Sequence, residues 1–349
     1  MPGRTAAIVS FRLGGTDGVA IEAAKWGSAL ESLGFDVYTV AGVGRVDLLV
    51  EGMAMHADQP PDPAEVRDAL SRADLVVVEN LCSLPLNPPA AAIVADVLRA
   101  RPAVMHHHDL PWQRGATSHM PPPPDDPAWR HVTVNEISRR QLAERGIRAV
   151  CIRNRFDVDE PRGDRQATRA RIGVDTGRLL VLQPTRAIPR KNVQGGIALA
   201  DALGADYWLL GAAEDGYAPD LERILREAPV RVIHGGGAGG GEDREELAMR
   251  DVYAACDVVV MPSYWEGFGN PAVEAAVHRK PLVVGPYPVA DELAAYGFEW
   301  FPLRDPARVG RWLAGDDRSL IDRNARVARE HFSLTQLPGE LHRLLDALQ

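Results

Sequence analysis

The chain is poor in cysteine, has no surplus of positive charge and contains no long apolar run. Its 349 residues include three cysteines, Cys82, Cys151 and Cys256, far apart and without a CxxC pair. That argues against a disulfide framework or a cysteine-rich zinc site and suits a reducing, cytoplasmic setting. Acidic residues outnumber basic ones by 48 to 39, for a formal net charge of −9. A nucleic-acid partner is not expected, because general affinity needs a basic footprint that neutralises phosphates. No window approaches the roughly 18 apolar residues that span a bilayer, so no transmembrane segment is expected. The first apolar stretch, Ala6 to Val9, is a short strand rather than the core of a secretory signal.

What is present is the composition of a folded globular protein, 46% hydrophobic and 25% charged. The length suggests two domains of about 150 residues each. Short apolar runs alternate with helical patterns twice over. Candidate strands are 6–11, 36–40, 75–79, 103–106, 131–134 and 149–152, then 179–183, 206–210, 230–234, 257–261, 282–284 and 298–301. Most are rich in Val, Ile and Leu without clean alternation, the pattern of parallel strands buried on both faces. This predicts an α/β protein of two doubly wound domains. The charged stretch 155–177 marks the boundary, and the tail after Phe332 predicts a helix with Leu341, Leu344, Leu345 and Leu348 on one stripe.

The most informative segment is MPSYWEGFGNPAVEAA, residues 261–276. It follows a strand, where loops of α/β domains line the ligand crevice. Asn270 reads as a helix N-cap with Pro271 at the first helical position. Gly267 and Gly269 let backbone approach a ligand, and the helix start offers free N–H groups to an anion such as a diphosphate. Two carboxylates flank the loop. Glu266 alone would be a surface acid, and Glu274 alone a carboxylate stabilised by a helix start. Together they suit the vicinal hydroxyls of a sugar and a ribose.

This segment, with the following VHRKPLVV, resembles the signature of family 4 retaining glycosyltransferases, in the Glu266-x7-Glu274 spacing, the Ala-rich helix and the Pro-Val-Val strand. The resemblance implies that Glu266 meets donor-sugar hydroxyls and Glu274 the ribose, with Gly267, Phe268, Gly269 and Asn270 beside them. It also gives a role to LLVLQPTRAIPRKN, a run that unaided would read as a solvated basic loop. There it implies that Arg186 and Lys191 hold the donor phosphates, where cations stabilise charge on the leaving diphosphate. Thr185 and Asn192 stand where the family usually has glycine.

In the first half, FRLGGTDG is not GxGxxG, because Gly14, Gly15 and Gly18 are spaced differently, and Ala41-Gly42 stands where a dinucleotide site needs an acid. A dehydrogenase is therefore disfavoured. The resemblance implies instead that Gly14 and Gly15 face the donor phosphate, though a plain strand-to-helix turn reads the same way. The run His106-His107-His108-Asp109 ends a strand. Only His106 and His108 can converge on one face, and no third ligand is spaced to complete a metal site. The family places a histidine here beside the donor sugar. His108 matches best, with His107 the alternative. Asp17, Trp112 and Arg114 are acceptor candidates, Trp112 as an aromatic platform. The arginines at 139–155 read as a solvated face, with an anionic acceptor or lipid surface as the minority reading.

The combined expectation is a GT-B fold of two Rossmann-like, doubly wound parallel-sheet domains facing across a cleft. Residues 1–157 would form the acceptor-side domain, with a helix at 331–349 packing back on it, and 158–330 the donor-binding domain. The expected activity is metal-independent hexosyl transfer with retention, from a UDP- or GDP-type sugar to a hydroxyl of a small molecule, glycan or lipid-linked acceptor. No cofactor is expected beyond the sugar nucleotide as co-substrate. The catalytic candidates are His108, Arg186, Lys191 and Glu266. A homodimer is left open. The alternative is a related sugar-nucleotide enzyme, an epimerase or a pseudo-glycosyltransferase.

Overall fold

The computed structural model describes residues 3–15, 17–113, 120–214, 216–236 and 247–347. The chain forms two compact units, Met1–Arg155 with Leu334–Gln349, and Phe156–Ser333.

The first unit carries strands β1 (Arg4–Leu13), β2 (Phe35–Gly44), β3 (Leu48–Leu49), β4 (Leu75–Glu79), β5 (Ala103–His107), β6 (Trp129–Thr133) and β7 (Ala149–Cys151). They form one sheet in the order β3-β2-β1-β4-β5-β6-β7, and every pairing is parallel. The second unit carries β8 (Leu180–Gln183), β9 (Asp206–Leu209), β10 (Val232–His234), β11 (Val258–Met261), β12 (Leu282–Val284) and β13 (Phe301–Pro302). Their order, β10-β9-β8-β11-β12-β13, repeats the same winding. Each sheet is the doubly wound α/β arrangement that the apolar runs predict. The edge strand β3 was not foreseen. It is two residues long, and both of its leucines are exposed.

The central strands earn their place by burial on both faces. All of Leu75–Glu79 is buried, and Val258, Val259, Val260 and Met261 are wholly enclosed. Each such side chain contributes roughly 1.5–3 kcal/mol. The terminal helix Leu337–Asp346 buries Leu337, Leu341 and Leu344 in the first unit's core, with Ala23, Trp26 and Leu30 of the helix Gly18–Ser32. No helix among the described residues is long and apolar enough to cross a membrane.

Strand order reverses between β1 and β4 in one sheet and between β8 and β11 in the other. At such a switch point adjacent loops leave in opposite directions and open a crevice at the strands' C-terminal ends. Gly14 and Gly15 and the segments 186–192 and 262–270 lie on those loops, and the His106–Asp109 run follows the neighbouring strand β5.

Candidate active site

In the second unit the crevice lies between the loops after β8 and β11. Lys191 ends a single helical turn, Pro189–Lys191. Asn192 follows in the left-handed region at φ 50°. That is the conformation glycine would supply, and asparagine tolerates it best among the other residues. The departure from the family's glycine therefore leaves the loop shape attainable. The Asn192 side chain accepts the Gly195 amide at 3.1 Å and donates to the Pro262 carbonyl at 3.1 Å, joining the two loops.

Lys191 Nζ donates to both oxygens of Glu266, each at 2.6 Å. Arg190 Nη1 reaches the Trp265 carbonyl at 2.7 Å and Glu266 Oε2 at 3.2 Å. Lys191 and Glu266 are 8% and 5% exposed. Burial alone would raise the Glu266 carboxyl, but the charges of Lys191 and Arg190 outweigh it and hold the group below the usual carboxylate range. Burial also pulls Lys191 down, against the attraction of Glu266. Two residues expected to hold different parts of the donor are thus joined to each other. Arg186, the other expected cation, pairs with Glu214, and both are about one third exposed.

The helix Asn270–Val277 starts one residue earlier than the sequence suggests. Asn270 is not its N-cap. Gly269 takes that position at φ 91°, and no side chain caps the helix. A Cβ on Gly269 would meet Met261 Cε at 2.5 Å and Tyr287 Oη at 2.8 Å, so only glycine fits. Phe268, expected at the donor, is instead buried between the rings of Phe156 and Phe332, each 6.2 Å away. Its side chain anchors the loop. Glu274 Oε2 accepts the phenol of Tyr253 at 2.6 Å. Tyr253 is fully buried and stacked on His278 at 4.6 Å. Sequence reasoning missed Tyr253, whose only signal is its place on a helix before the same strand.

In the first unit, Gly14 stands at φ 71°, and a Cβ there would lie 2.4 Å from the Arg45 carbonyl. Gly15 has no such restraint, and its nearest neighbour would be Asp17 Oδ2 at 3.6 Å. Asp17, an acceptor candidate, is committed elsewhere. Its Oδ1 accepts the amides of Val19 and Ala20 at 3.1 and 3.3 Å, capping the helix, and its Oδ2 pairs with Arg12 at 3.1 Å. Trp112 also has a packing role. Its indole donates to Gln141 at 2.8 Å, and Arg145 lies 3.8 Å over the ring. Arg114 lies outside the described residues. In the arginine-rich segment Arg139 pairs with Glu136 and Arg155 with Glu340.

The histidine run shows the alternation of a strand. His107 points to one face, bonded to Ser83 Oγ and to His131 at 2.8 Å, which removes it as the alternative to His108. His106 and His108 point to the other face and meet Glu79, which β-pairing places opposite His106. His106 Nδ1 lies 2.9 Å and His108 Nε2 2.7 Å from Glu79 Oε2. Burial would raise Glu79, but the two imidazoles bring it down to about 2. Burial would lower His108, but Glu79, Glu22 and Asp109 raise it. Glu79 is the third converging group that spacing along the chain did not reveal. The ligand atoms of Glu79, His106 and His108 lie within 4.8 Å of one another, so a divalent cation could be held there.

The family model for "Glycosyl transferases group 1" matches residues 198–311, which include Glu266 and Glu274. Over nearly the full length, the chain is 24% identical to the mannosylglucosylglycerate synthase of Petrotoga mobilis, covering 97% of this chain and 94% of that protein. The chain is a glycosyltransferase, and it is similar to members of family 4. This glycosyltransferase is also 31% identical to the D-inositol 3-phosphate glycosyltransferase of Rhodococcus jostii, over 50% of this chain and 41% of that protein. Among solved structures it resembles Anabaena Alr3699/HepE in complex with UDP-glucose, with a TM-score of 0.73, 18% identity and coverage of 99% and 100%. That likeness shows the GT-B fold. The comparisons do not favour the epimerase or pseudo-glycosyltransferase alternative.

Proposed function

We propose that the enzyme moves a hexosyl group from a UDP- or GDP-type sugar nucleotide to a hydroxyl acceptor, with retention and without a metal. The observation that carries this is the Lys191–Glu266 pair, flanked by Arg190, at the switch point between β8 and β11. The second unit would bind the donor and the first unit the acceptor. Lys191, Arg186 and the helix start at Asn270 would stabilise the departing diphosphate, which is where charge develops. Glu266 would meet the sugar hydroxyls, Glu274 the ribose, and His108 the donor sugar.

A carboxylate held ionised between Lys191 and Arg190 is weakly basic. It therefore suits hydrogen bonding to hydroxyls better than proton abstraction from the acceptor. That supports a front-face route in which the leaving phosphate takes the acceptor proton and the new glycosidic bond forms on the same face.

The direct test offers UDP- and GDP-hexoses, with EDTA, to small hydroxylated acids of the kinds named in the relatives, glycosylglycerates and inositol phosphates. An α-linked product from an α-linked donor is expected, read from the anomeric NMR coupling. An inverted product would overturn retention, and loss of turnover in EDTA would overturn metal independence. Donor converted to another sugar nucleotide without acceptor would favour the epimerase reading. A further expected result concerns Tyr253→Phe. Loss of its 2.6 Å bond loosens Glu274 without touching the diphosphate. The KM for the sugar nucleotide should rise about 3- to 10-fold, up to ~1.4 kcal/mol, with kcat within about twofold. Steady-state kinetics decide it, and an unchanged KM would remove Tyr253 from the site.

A further inference from the structure

Glu79 belongs to none of the motifs described above, yet it is fully buried at the end of a strand whose preceding residues are Val76, Val77 and Val78. A fifth apolar residue after Leu75 would fill the same place in the sheet. Buried ion pairs often stabilise a fold no better than apolar groups of equal volume, so stability is a weak reason for this carboxylate.

Its geometry suggests a better one. An ionised carboxylate only accepts, so each imidazole nitrogen facing it must carry the proton. Glu79 thus sets the protonated nitrogen of both rings, Nδ1 of His106 and Nε2 of His108. His106 is the inner anchor. Its ring packs on Trp26 at 4.2 Å and on His108 at 4.4 Å, and its Nε2 has no hydrogen-bond partner among the described residues. His108 is the outer member, with a side chain 10% exposed against 1% for His106 and none for Glu79. The neighbour of Glu79 holds the backbone below. Asn80, at φ 61°, accepts the amides of His108 and Asp109 through Oδ1 at 3.0 and 3.3 Å. From the helix Gly18–Ser32, buried Glu22 also raises His108 electrostatically, and it pairs with Lys25 at 2.6 Å.

We infer that Glu79 is a positioning residue for the transfer. It holds the His108 ring through Nε2 and fixes the edge that the ring presents to the donor sugar, while Asn80 fixes the backbone beneath. The inference rests on the proposed role of His108 at the donor.

The test compares Glu79→Gln, His108→Ala and the double variant on the full-length enzyme, each checked for folding by thermal melting. Gln keeps the shape and can still accept both N–H groups through one oxygen, but it removes the negative charge that fixes those tautomers and turns an NH2 donor toward the His106 ring. Glu79→Gln should lower kcat about 10- to 100-fold with donor KM within about twofold. The double variant should be no slower than His108→Ala, because a residue acting through His108 has nothing left to act on. In wild type, proton NMR should show a downfield imidazole N–H that is lost in both single variants. Full turnover in Glu79→Gln, losses that multiply in the double variant, or no such resonance would each overturn the inference. If Glu79→Gln does not fold, Asn80→Gly accepts the positive φ and removes the backbone clamp. It should slow kcat about tenfold, and an unchanged kcat would count equally against the clamp. Lys191→Ala and Glu266→Ala serve as controls. If they collapse turnover while Glu79→Gln does not, this inference alone fails. If they leave turnover intact, the donor-site reading fails with it.

Discussion

Lys191→Ala should lower kcat by about 10²- to 10³-fold, equivalent to ~2.7–4 kcal/mol of transition-state stabilisation. Two defects follow from the one change. On the proposed reading the leaving diphosphate loses its most buried cation, and Glu266 loses the partner that holds both its oxygens at 2.6 Å. With only Arg190 left, at 3.2 Å, burial regains its hold on the carboxyl and moves it toward the protonated form. On that reading Glu266 would then meet the sugar hydroxyls in the wrong charge state. Breaking a buried pair by removing one partner also destabilises the fold, typically by about 3–5 kcal/mol, and Arg190 should keep the effect near the lower figure. The pH dependence has a definite sign. Glu266 titrates lower in the folded chain than its ordinary value of 4.5, so its contribution to stability is present above that pH. It is lost as pH falls through the folded value. The stability gap between wild type and Lys191→Ala should therefore be full at pH 7 and narrow below about pH 4.5. Urea melts at both pH values measure it, and saturating-donor kinetics measure the rate. A kcat within threefold of wild type would show that Lys191 does not serve the leaving group.

How much of this was legible in the sequence depends on how local each feature is. The strands at 75–79 and 282–284 were read to the residue, because a continuous apolar run is written along the chain. Strand Leu48–Leu49 was not, since two exposed residues make no pattern. The Glu266-x7-Glu274 spacing is also local, and it carried the family. The partners of those residues are not local. Lys191 meets Glu266 across 75 residues, Tyr253 meets Glu274 from another element, and Glu79 meets His108 only through the pairing of β4 with β5. A carboxylate ending a valine run looks like an ordinary strand exit until the neighbouring strand is in place. Phe268 and Asp17 show the converse case. Their place in a motif suggested ligand contact, and the sequence did not show that their side chains also pack and cap a helix.

The same long-range logic predicts the largest loss of stability in the second unit, at Arg169. This guanidinium is completely buried. It donates to the carbonyls of Ala255, Asp175 and Arg178 at 2.8, 2.7 and 2.8 Å and to Asp257 Oδ2 at 2.6 Å. Ala255 ends the helix Met249–Ala255, where unpaired carbonyls and the helix dipole both favour a cation. Asp257 accepts the Leu180 amide at 2.9 Å through the same Oδ2, and its own amide donates to the Leu180 carbonyl at 2.9 Å. Arg169 thus pins the entry of β11 to that of β8, the two strands whose far ends carry Glu266 and Lys191. Arg169→Met keeps most of the apolar stem and removes every donor. The carbonyls of Ala255, Asp175, Thr176 and Arg178 lose this donor, and Asp257 keeps Arg165, at 2.6 Å, and the Leu180 amide, at 2.9 Å. Each orphaned buried acceptor costs about 1–3 kcal/mol, and loss of one partner from a buried charge pair about 3–5 kcal/mol. These terms overlap, so a loss of about 3–5 kcal/mol is expected, a large share of a typical domain's stability. Thermal melting should show the second unit's transition far below its wild-type temperature, and donor binding should be lost with it. A melt within 2 °C of wild type, an effect of at most ~1 kcal/mol, would mean that water replaces the guanidinium and that the two strands do not depend on it for their alignment.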